Sequence, residues 1–266
     1  MTNTNVYLPQ PVKVLANMRE TKENFRLTLD MPLKNDPGQF VQISLLGIGE
    51  APISIASWGR EHLTLHIREA GTVTKALGCC QPGDTVFIRG PYGKGYPMKE
   101  AEGGNMILVG GGCGVASVKG VFDYVEKNRD KYREVYAYVG YRNAREVIFE
   151  EFVDQWKQNM SVLVSLDTLS EGTCFDASES FVSDLVRATN LPEGDSVAML
   201  CGPPIMMKLS GQALINKGMR EDQVYVSEER LMYCETGTCC HCMIGSMFTC
   251  KDGPVFRWDE LKEHTP

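Results

Sequence analysis

The sequence of 266 residues has no long apolar run and no excess of basic residues. Its apolar runs are short, as at residues 106–109, whereas a membrane-spanning helix needs roughly 20 apolar residues. Lysine and arginine number 27 against 34 aspartates and glutamates, a net charge of -7, which argues against binding to nucleic-acid phosphates. The first residues lack the basic and apolar segments of a secretory signal peptide. We therefore expect a cytosolic protein.

Histidine is also scarce, with 4 residues, whereas cysteine is plentiful, with 10. Five of these cysteines fall between Cys234 and Cys250. A secreted disulfide framework would occupy a much shorter chain. In a reducing compartment such a cluster indicates a metal site.

Turn residues divide the first hundred residues into short segments. Residues 25–29 and 63–67 alternate apolar and polar side chains, which predicts half-buried strands. Turn signals recur between such segments, which is typical of an antiparallel barrel or sandwich. We assign residues 1–101 to a β-barrel domain.

Strands and helices alternate from about residue 102 onward. The predicted strands are 105–109, 134–140, 161–166, 196–201 and 223–226, and the predicted helices are 115–127, 145–158, 181–188 and 204–217. This alternation predicts an α/β domain over residues 102–226, a doubly wound parallel sheet covered by helices on both faces. Residues 227–266 have little periodicity and form a small cysteine-rich module.

Four cysteines of this module have the spacing C-x4-C-x2-C-x7-C: Cys234, Cys239, Cys242 and Cys250. Plant-type [2Fe–2S] ferredoxins begin with the same C-x4-C-x2-C spacing. Structural zinc usually takes two separated C-x2-C pairs, and only one is present, so zinc and the absence of metal are the alternatives. A Rieske-type centre needs two histidines, and this region has only His241. We predict that Cys240 is not a ligand.

Two turns of the α/β domain have the composition of a nucleotide site. The first, from Gly110 to Gly114, lies between a strand and a helix, where backbone N–H groups can receive a pyrophosphate. A tight strand-to-helix turn is the alternative. The second turn would lie at the carboxyl ends of strands of the same sheet, where open α/β sheets bind ligands. The predicted nicotinamide-site residues are Gly110, Gly111, Gly112, Cys113, Gly114, Cys201, Gly202 and Pro203.

Together with other motifs in the same order, these turns resemble the ferredoxin–NADP reductase superfamily. The other motifs are Gly38-Gln39-Phe40, Glu50-Ala51-Pro52-Ile53-Ser54, Gly71-Thr72-Val73-Thr74, Gly83-Asp84, Arg89-Gly90-Pro91-Tyr92-Gly93 and Asp252-Gly253-Pro254-Val255-Phe256. More narrowly, the chain is similar to electron-transfer subunits with a C-terminal [2Fe–2S] module. These are the anaerobic sulfite reductase B subunit, the sulfhydrogenase gamma subunit and the dihydroorotate dehydrogenase electron-transfer subunit. Residues 49–54 and 93–97 look most like the first two.

The resemblance implies an FAD site in the first domain. Pro52, Ile53 and Ser54 would lie against the flavin ring. The ribityl and pyrophosphate groups would be held by Arg68, Gly71, Thr72 and Thr74. An ordinary helix cap is the alternative role for residues 72–74. Ala51 stands where the superfamily often has an arginine.

The resemblance also bears on the choice of nucleotide. NADP-preferring relatives commonly bind the additional phosphate with a Ser-Arg pair after the third strand of the α/β sheet. This chain has Asp167-Thr168 there. A carboxylate repels a phosphate and suits a ribose diol, so we expect a preference for NADH, unless Asp167 is only a solvated loop residue.

The function implied is that of an NAD(P)H-oxidising, diaphorase-like subunit. It would use FAD and a [2Fe–2S] cluster to pass single electrons to an iron–sulfur or catalytic partner subunit, with anaerobic sulfite reductase favoured. The alternatives are a hydrogenase, dihydroorotate dehydrogenase or electron-bifurcating complex, or a non-enzymatic iron–sulfur redox sensor. We assign no catalytic acid or base, because the cofactors carry the chemistry.

Overall fold

The structure is a computed structural model that describes residue 5, residues 7–169 and residues 176–261. The predicted outer limits of the first and last domains, residues 1 and 266, lie outside the described residues. Within the described part, no helix is long and apolar enough to cross a membrane.

The first hundred residues form an antiparallel sheet that curls into a barrel, as predicted. Its strands are β1 (Gln10–Arg19), β2 (Asn24–Leu29), β3 (Phe40–Leu45), β4 (Gly49–Ser54), β5 (Leu63–Arg68) and β6 (Thr85–Tyr92), in the order β4-β3-β6-β1-β2-β5. A bridge between Ile55 and Leu65 joins the two edges. Phe25, Leu27 and Leu29 are fully buried, which confirms the predicted alternation in β2. One helix, α1 (Thr72–Gly78), follows β5.

The second sheet has seven strands and is parallel except at one edge. The strands are β7 (Asn105–Gly111), β8 (Val135–Tyr141), β9 (Ser161–Leu166), β10 (Ser178–Glu179), β11 (Ser196–Cys201), β12 (Val224–Ser227) and β15 (Val255–Arg257), in the order β10-β9-β8-β7-β11-β12-β15. The helices between them are α2 (Gly114–Lys127), α3 (Val153–Asn159), α4 (Val182–Ala188) and α5 (Pro204–Asn216). Two separate apolar clusters pack against this sheet, as expected when helices cover both faces.

The continuous helix predicted for residues 145–158 is wrong in its first half. The structure has two short 3₁₀ turns, Ala144–Glu146 and Glu150–Phe152, before α3 begins. Phe149, between these turns, has a φ of 58°, which is incompatible with an α-helix. Its buried ring packs on His66 of the barrel with centroids 5.3 Å apart, so a contact with the other sheet overrides the local helical pattern.

The C-terminal segment returns to the α/β sheet. It forms a small hairpin of β13 (Met243–Ile244) and β14 (Met247–Phe248), and β15 then pairs antiparallel with β12. The last element is α6 (Trp258–Leu261). The domain limits near residues 101 and 226 remain predictions.

Candidate functional site

The two turns predicted to bind a nicotinamide nucleotide are in contact. Strands β7 and β11 are neighbours, with Gly110 opposite Cys201, so both turns lie at the same edge of the sheet. A Cβ added to Gly114 would lie 2.3 Å from the carbonyl oxygen of Cys201, so packing between the turns requires glycine there. Gly112 differs, because its φ is 52° and a Cβ would meet nothing within 4 Å. The open space at Gly112 is where a ligand could approach the backbone.

Cys201 itself is in a closed environment. Its side chain is buried among Tyr96, Ser117 and Ser227, and this burial raises the pKa of its thiol to about 12. Because only a thiolate is a strong nucleophile, Cys201 is unsuited to covalent chemistry.

The glycine turn also touches the barrel. The exposed thiol of Cys113 donates a hydrogen bond of 3.3 Å to Oδ1 of Asn24, at the start of β2. Asn24 is opposite Arg68 in the pairing of β2 with β5. The turn therefore faces the barrel end that carries Arg68 and, three residues further on, Gly71.

The residues predicted to hold the flavin lie in β4, at the end of β5 and at the beginning of α1. Pro52, Ile53 and Ser54 are half-buried, and α1 packs beside their strand, because a Cβ on Gly49 would lie 3.1 Å from Val73. The alternative role as a helix cap is also fulfilled in part. The hydroxyl of Thr74 accepts hydrogen bonds of 3.0 Å from the N–H groups of Ala70 and Gly71.

Other groups at this helix start fit a ligand. The first N–H groups of a helix have no acceptor within the helix, and Thr72 is exposed there. Gly71 has a φ of -152°, a backbone angle that any residue can adopt, and a Cβ added to it would meet nothing within 4 Å. The protein itself does not fill this space, so the segment fits a bound phosphate group.

Asp167 lies just after β9, at the carboxyl edge of the sheet, and its role in nucleotide binding stays a prediction. Its side chain is exposed, and its N–H donates to the carbonyl of Tyr141 at 2.9 Å. Partial burial raises the pKa of its carboxyl group, and the nearby Arg142 opposes this rise. Asp167 and Arg142 are thus neighbours at one end of the candidate nucleotide site.

The four cysteines predicted to bind iron are together in one loop and form two pairs. The Cys239 side chain is close enough to Cys234 to lower the pKa of the Cys234 thiol, and the Cys242 thiol is a neighbour of Cys250 that raises the pKa of the Cys250 thiol. Cys242 and Cys250 are buried, whereas Cys239 is exposed. Among the described residues, no three His, Cys, Asp or Glu side chains lie together as the ligands of one metal ion would. Two pairs fit a centre in which each of two irons takes two thiolates.

Backbone N–H groups of the loop point at these sulfurs. Thr238 and Cys239 donate to Sγ of Cys234 at 3.4 and 3.3 Å, and Gly237 donates to Sγ of Cys250 at 3.3 Å. Burial would raise the pKa of Cys234, but the N–H groups of Cys239, Thr236 and Thr238 and the Cys239 thiol outweigh it and lower the pKa to about 6. Because metals bind the thiolate form, this loop favours ligation at Cys234.

Cys250 and Cys240 differ from Cys234 in their surroundings. Burial and the adjacent Cys242 thiol raise the pKa of Cys250 to about 12, so a cation is needed there to offset the cost of the thiolate. Cys240 is exposed, with a φ of 59°, and its thiol donates to the carbonyl of Thr238 at 3.9 Å. Cys240 therefore lies outside the two pairs, and its exclusion from the ligand set stays a prediction.

The cysteine loop rests on the barrel next to the predicted flavin strand. Gln42 in β3 is opposite Pro52 in β4. The amide of Gln42 donates at 2.6 Å to the carboxylate of Glu235, the residue after Cys234. Only about two strand spacings, on the order of 10 Å, thus separate the two regions.

Sequence reasoning missed the polar cluster that makes this junction. It consists of Gln42, Glu50, Arg89 and Glu235, of which all but Glu50 are buried. Arg89 belongs to one of the motifs that carry the family resemblance, but nothing in that motif indicates that its partners are distant in sequence.

Comparison with known proteins gives two matching domain families. The profile of the oxidoreductase NAD-binding domain matches residues 108–212, and that of the iron–sulfur cluster binding domain of dihydroorotate dehydrogenase B matches residues 229–262. These matches cover the glycine turn and all four cysteines of the loop.

Relatives extend the similarity to almost the whole chain. Sulfhydrogenase 1 subunit gamma of Pyrococcus furiosus is 35% identical over 98% of this chain and 94% of its own length. A probable dihydroorotate dehydrogenase B electron transfer subunit of Thermoplasma volcanium is 30% identical over 94% of this chain and 90% of its own.

Two solved structures share the fold. A chain of the NADH-dependent reduced ferredoxin–NADP oxidoreductase superposes with a TM-score of 0.77 at 24% identity, covering 99% of this chain and 94% of that one. A ferredoxin–NADP reductase of Neisseria gonorrhoeae with bound FAD and NADP gives a TM-score of 0.69 at 18% identity, covering 82% and 97%. The ferredoxin reductase-like fold is therefore established for the barrel and the α/β sheet.

Proposed function

We propose, since this chain belongs to the family of electron-transfer subunits that includes sulfhydrogenase gamma and dihydroorotate dehydrogenase B proteins, that it oxidises NADH through FAD and passes single electrons through a [2Fe–2S] cluster to a partner subunit. The observation that supports this most is the convergence of three candidate sites on one barrel. The glycine turn meets the barrel at Asn24, and the cysteine loop meets it at Gln42, opposite Pro52.

Each cofactor has a proposed set of residues in this chain. For the nucleotide they are Gly110, Gly111, Gly112, Cys113, Gly114, Asp167, Cys201, Gly202 and Pro203; for FAD they are Pro52, Ile53, Ser54, Arg68, Gly71, Thr72 and Thr74; for the cluster they are Cys234, Cys239, Cys242 and Cys250. When bound, these cofactors would supply the redox chemistry, which is acceptance of a hydride from the nicotinamide and release of its two electrons one at a time. The role of the protein is to hold them in sequence, so no side chain is assigned as an acid or base.

Spectroscopy on the purified chain tests this function. We expect protein prepared without oxygen to contain one FAD, two irons and two sulfides. NADH should bleach the flavin band, and the electron paramagnetic resonance signal of a reduced cluster should then appear. A preparation with an intact cluster but no flavin would contradict the proposal and favour the non-enzymatic redox sensor.

The partner subunit is proposed from two observations. Residues 49–54 and 93–97 resemble the subunits of both anaerobic sulfite reductase and sulfhydrogenase, of which we favour anaerobic sulfite reductase, whereas the similarity to sulfhydrogenase gamma favours a hydrogenase catalytic subunit. Dihydroorotate dehydrogenase and bifurcating complexes fit the same module. Purification of the tagged chain from its native cells without oxygen, followed by NADH-dependent sulfite, proton or orotate reduction, would distinguish these partners.

A preference for NADH over NADPH is our prediction for Asp167. Its exposed carboxylate lies at the edge of the sheet where the adenosine ribose would bind, and repulsion of a 2′-phosphate there would cost about 1–3 kcal/mol. We expect kcat/KM for flavin reduction to favour NADH by roughly fivefold to more than a hundredfold. The double substitution Asp167→Ser and Thr168→Arg should narrow or invert this preference, because Arg142 is already a neighbour of residue 167.

Stopped-flow flavin reduction with both nucleotides measures the effect. The matched control is Asp222→Ser, which removes an exposed carboxylate in the segment that leads into β12, at the opposite edge of the sheet. It should leave the ratio of the two kcat/KM values unchanged. A wild-type preference for NADPH would show that Asp167 is only a loop residue.

A further inference from the structure

The junction between the cysteine loop and the barrel is a buried ionic cluster centred on Arg89. This residue lies in β6, and its side chain is 8% exposed. Its guanidinium forms two hydrogen bonds to Glu50, of 2.7 and 3.2 Å, and an ion pair with Glu235. Burial would lower the pKa of Arg89, but Glu50, Tyr92 and Glu235 together raise it, so the charge is retained.

The same guanidinium also holds the backbone of the cysteine loop. It donates to the carbonyl of Tyr233 at 3.1 Å and to that of Cys234 at 3.4 Å. These are the last two carbonyls before Glu235, and Cys234 is a proposed iron ligand. The rigid, planar guanidinium of Arg89 thus connects the barrel strands to the segment that contains Cys234. A lysine side chain cannot reproduce this geometry.

Glu235 completes the connection from the loop side. Its side chain is fully buried, with an exposed fraction of 0%, and its φ is 60°, in the left-handed region that favours glycine. A buried carboxylate in a strained backbone is costly unless its partners compensate. Arg89 and Gln42 are those partners, so the loop conformation depends on the barrel.

We infer that Arg89 and Glu235 position the cysteine loop against the flavin side of the barrel and set the reduction potential of the cluster that this loop would hold. The inference rests on the proposed function. The cluster gains one electron on reduction and becomes more negative, so a nearby positive charge favours the reduced form and a nearby negative charge opposes it. Cluster potentials respond to net charge and hydrogen bonding in this way.

Glu235→Gln isolates the charge of the carboxylate. The substitution keeps the shape of the side chain. Nε2 of Gln42 now donates to Glu235, so the Gln42 amide would turn over and its Oε1, which has no hydrogen-bond partner among the described residues, would accept from the new amide, while the new amide oxygen still accepts from Arg89. We expect the ratio of reduced to oxidised cluster at a fixed potential to rise about tenfold, a shift of about 59 mV to more positive values for one electron. Adding Arg89→Gln to this variant should reverse the shift, because the positive charge is then also lost.

The measurement is a redox titration of the complete chain with its cofactors, monitored by the paramagnetic signal of the cluster and the absorbance of the flavin. The flavin potential should stay close to that of the wild type, and Glu102→Gln, a partly exposed carboxylate bonded to Lys131 outside this junction, should change neither potential. A wild-type cluster potential in Glu235→Gln, with iron and flavin retained, would overturn the inference.

A conservative variant covers the case in which Glu235→Gln loses its iron. Arg89→Lys keeps the positive charge and can keep the ion pair with Glu235, but it cannot reach both carbonyls of the loop. Retained iron with an altered cluster signal or potential would support positioning by Arg89, and an unchanged signal and potential would refute it. If the wild type itself shows no signal of a reduced cluster, the proposed function fails before this inference is reached.

Discussion

Single serine substitutions at Cys234, Cys239, Cys242 and Cys250 are each expected to remove most of the bound iron, whereas Cys240→Ser is expected to remove little. Cys234 is a neighbour of Cys239, and Cys242 is a neighbour of Cys250, so each substitution would leave one iron of a two-iron centre held by these pairs with a single thiolate. A serine hydroxyl has a far higher pKa than a thiol and is a poor replacement. Flavin content should hold in all five variants, because the proposed flavin residues lie in β4, β5 and α1.

Cys240→Ser is the matched control because residue 240 is the neighbour of one proposed ligand and shares its exposure. Iron, sulfide and zinc are measured per chain after preparation without oxygen. Stoichiometric zinc in the wild type would contradict the cluster assignment, and an equal loss of iron in Cys240→Ser would show that the ligand set is wrong.

Periodicity predicted the sheets because their burial follows the local pattern. Phe25, Leu27 and Leu29 alternate with less buried residues in β2, and the strands and helices from residue 105 onward follow the alternation of the sequence. The helix beginning at residue 145 failed for a non-local reason. Phe149 is buried on His66, and a sequence window cannot detect a partner more than eighty residues away.

The glycine turn was identified from the sequence, but the reasons for its individual glycines were not. Gly114 is required by contact with Cys201 and Gly112 by its positive φ, and only the second leaves open space. Composition alone treats the two positions alike. The distinction matters because only Gly112 offers room for a ligand.

The cysteine spacing predicted the ligands, whereas nothing in the sequence indicated which side chains hold the cysteine loop on the barrel. Arg89 and Cys234 are 145 residues apart, Gln42 and Glu50 are near Arg89 only because β3 lies between β4 and β6, and Glu235 reaches Arg89 only because the cysteine loop packs on these strands. Similarly, nothing in residues 255–257 indicates that they complete the α/β sheet beside β12. Tertiary contacts of this kind require the topology to be known first.

Gly71→Val should lower the flavin content sharply while the iron content holds. A Cβ on Gly71 would meet nothing within 4 Å in the protein, and its φ of -152° is accessible to valine, so the chain itself tolerates the change. The loss at the start of α1 should be limited to about 1 kcal/mol of stability, the usual range for a helix cap. A bound pyrophosphate, in contrast, would need the space that the branched side chain fills.

We expect the affinity for FAD to fall at least tenfold, which corresponds to about 1.4 kcal/mol. Gly71→Ala should give a smaller loss, because one methyl group intrudes less than an isopropyl group. Cys79→Val, at the exposed far end of the same helix, is the control for adding valine to α1 and should retain its flavin. Flavin and iron per chain, together with thermal unfolding of the flavin-free protein, separate loss of the site from loss of the fold. Unchanged flavin content in Gly71→Val would mean that FAD does not approach this helix, and the site assigned to Arg68, Thr72 and Thr74 would have to be abandoned.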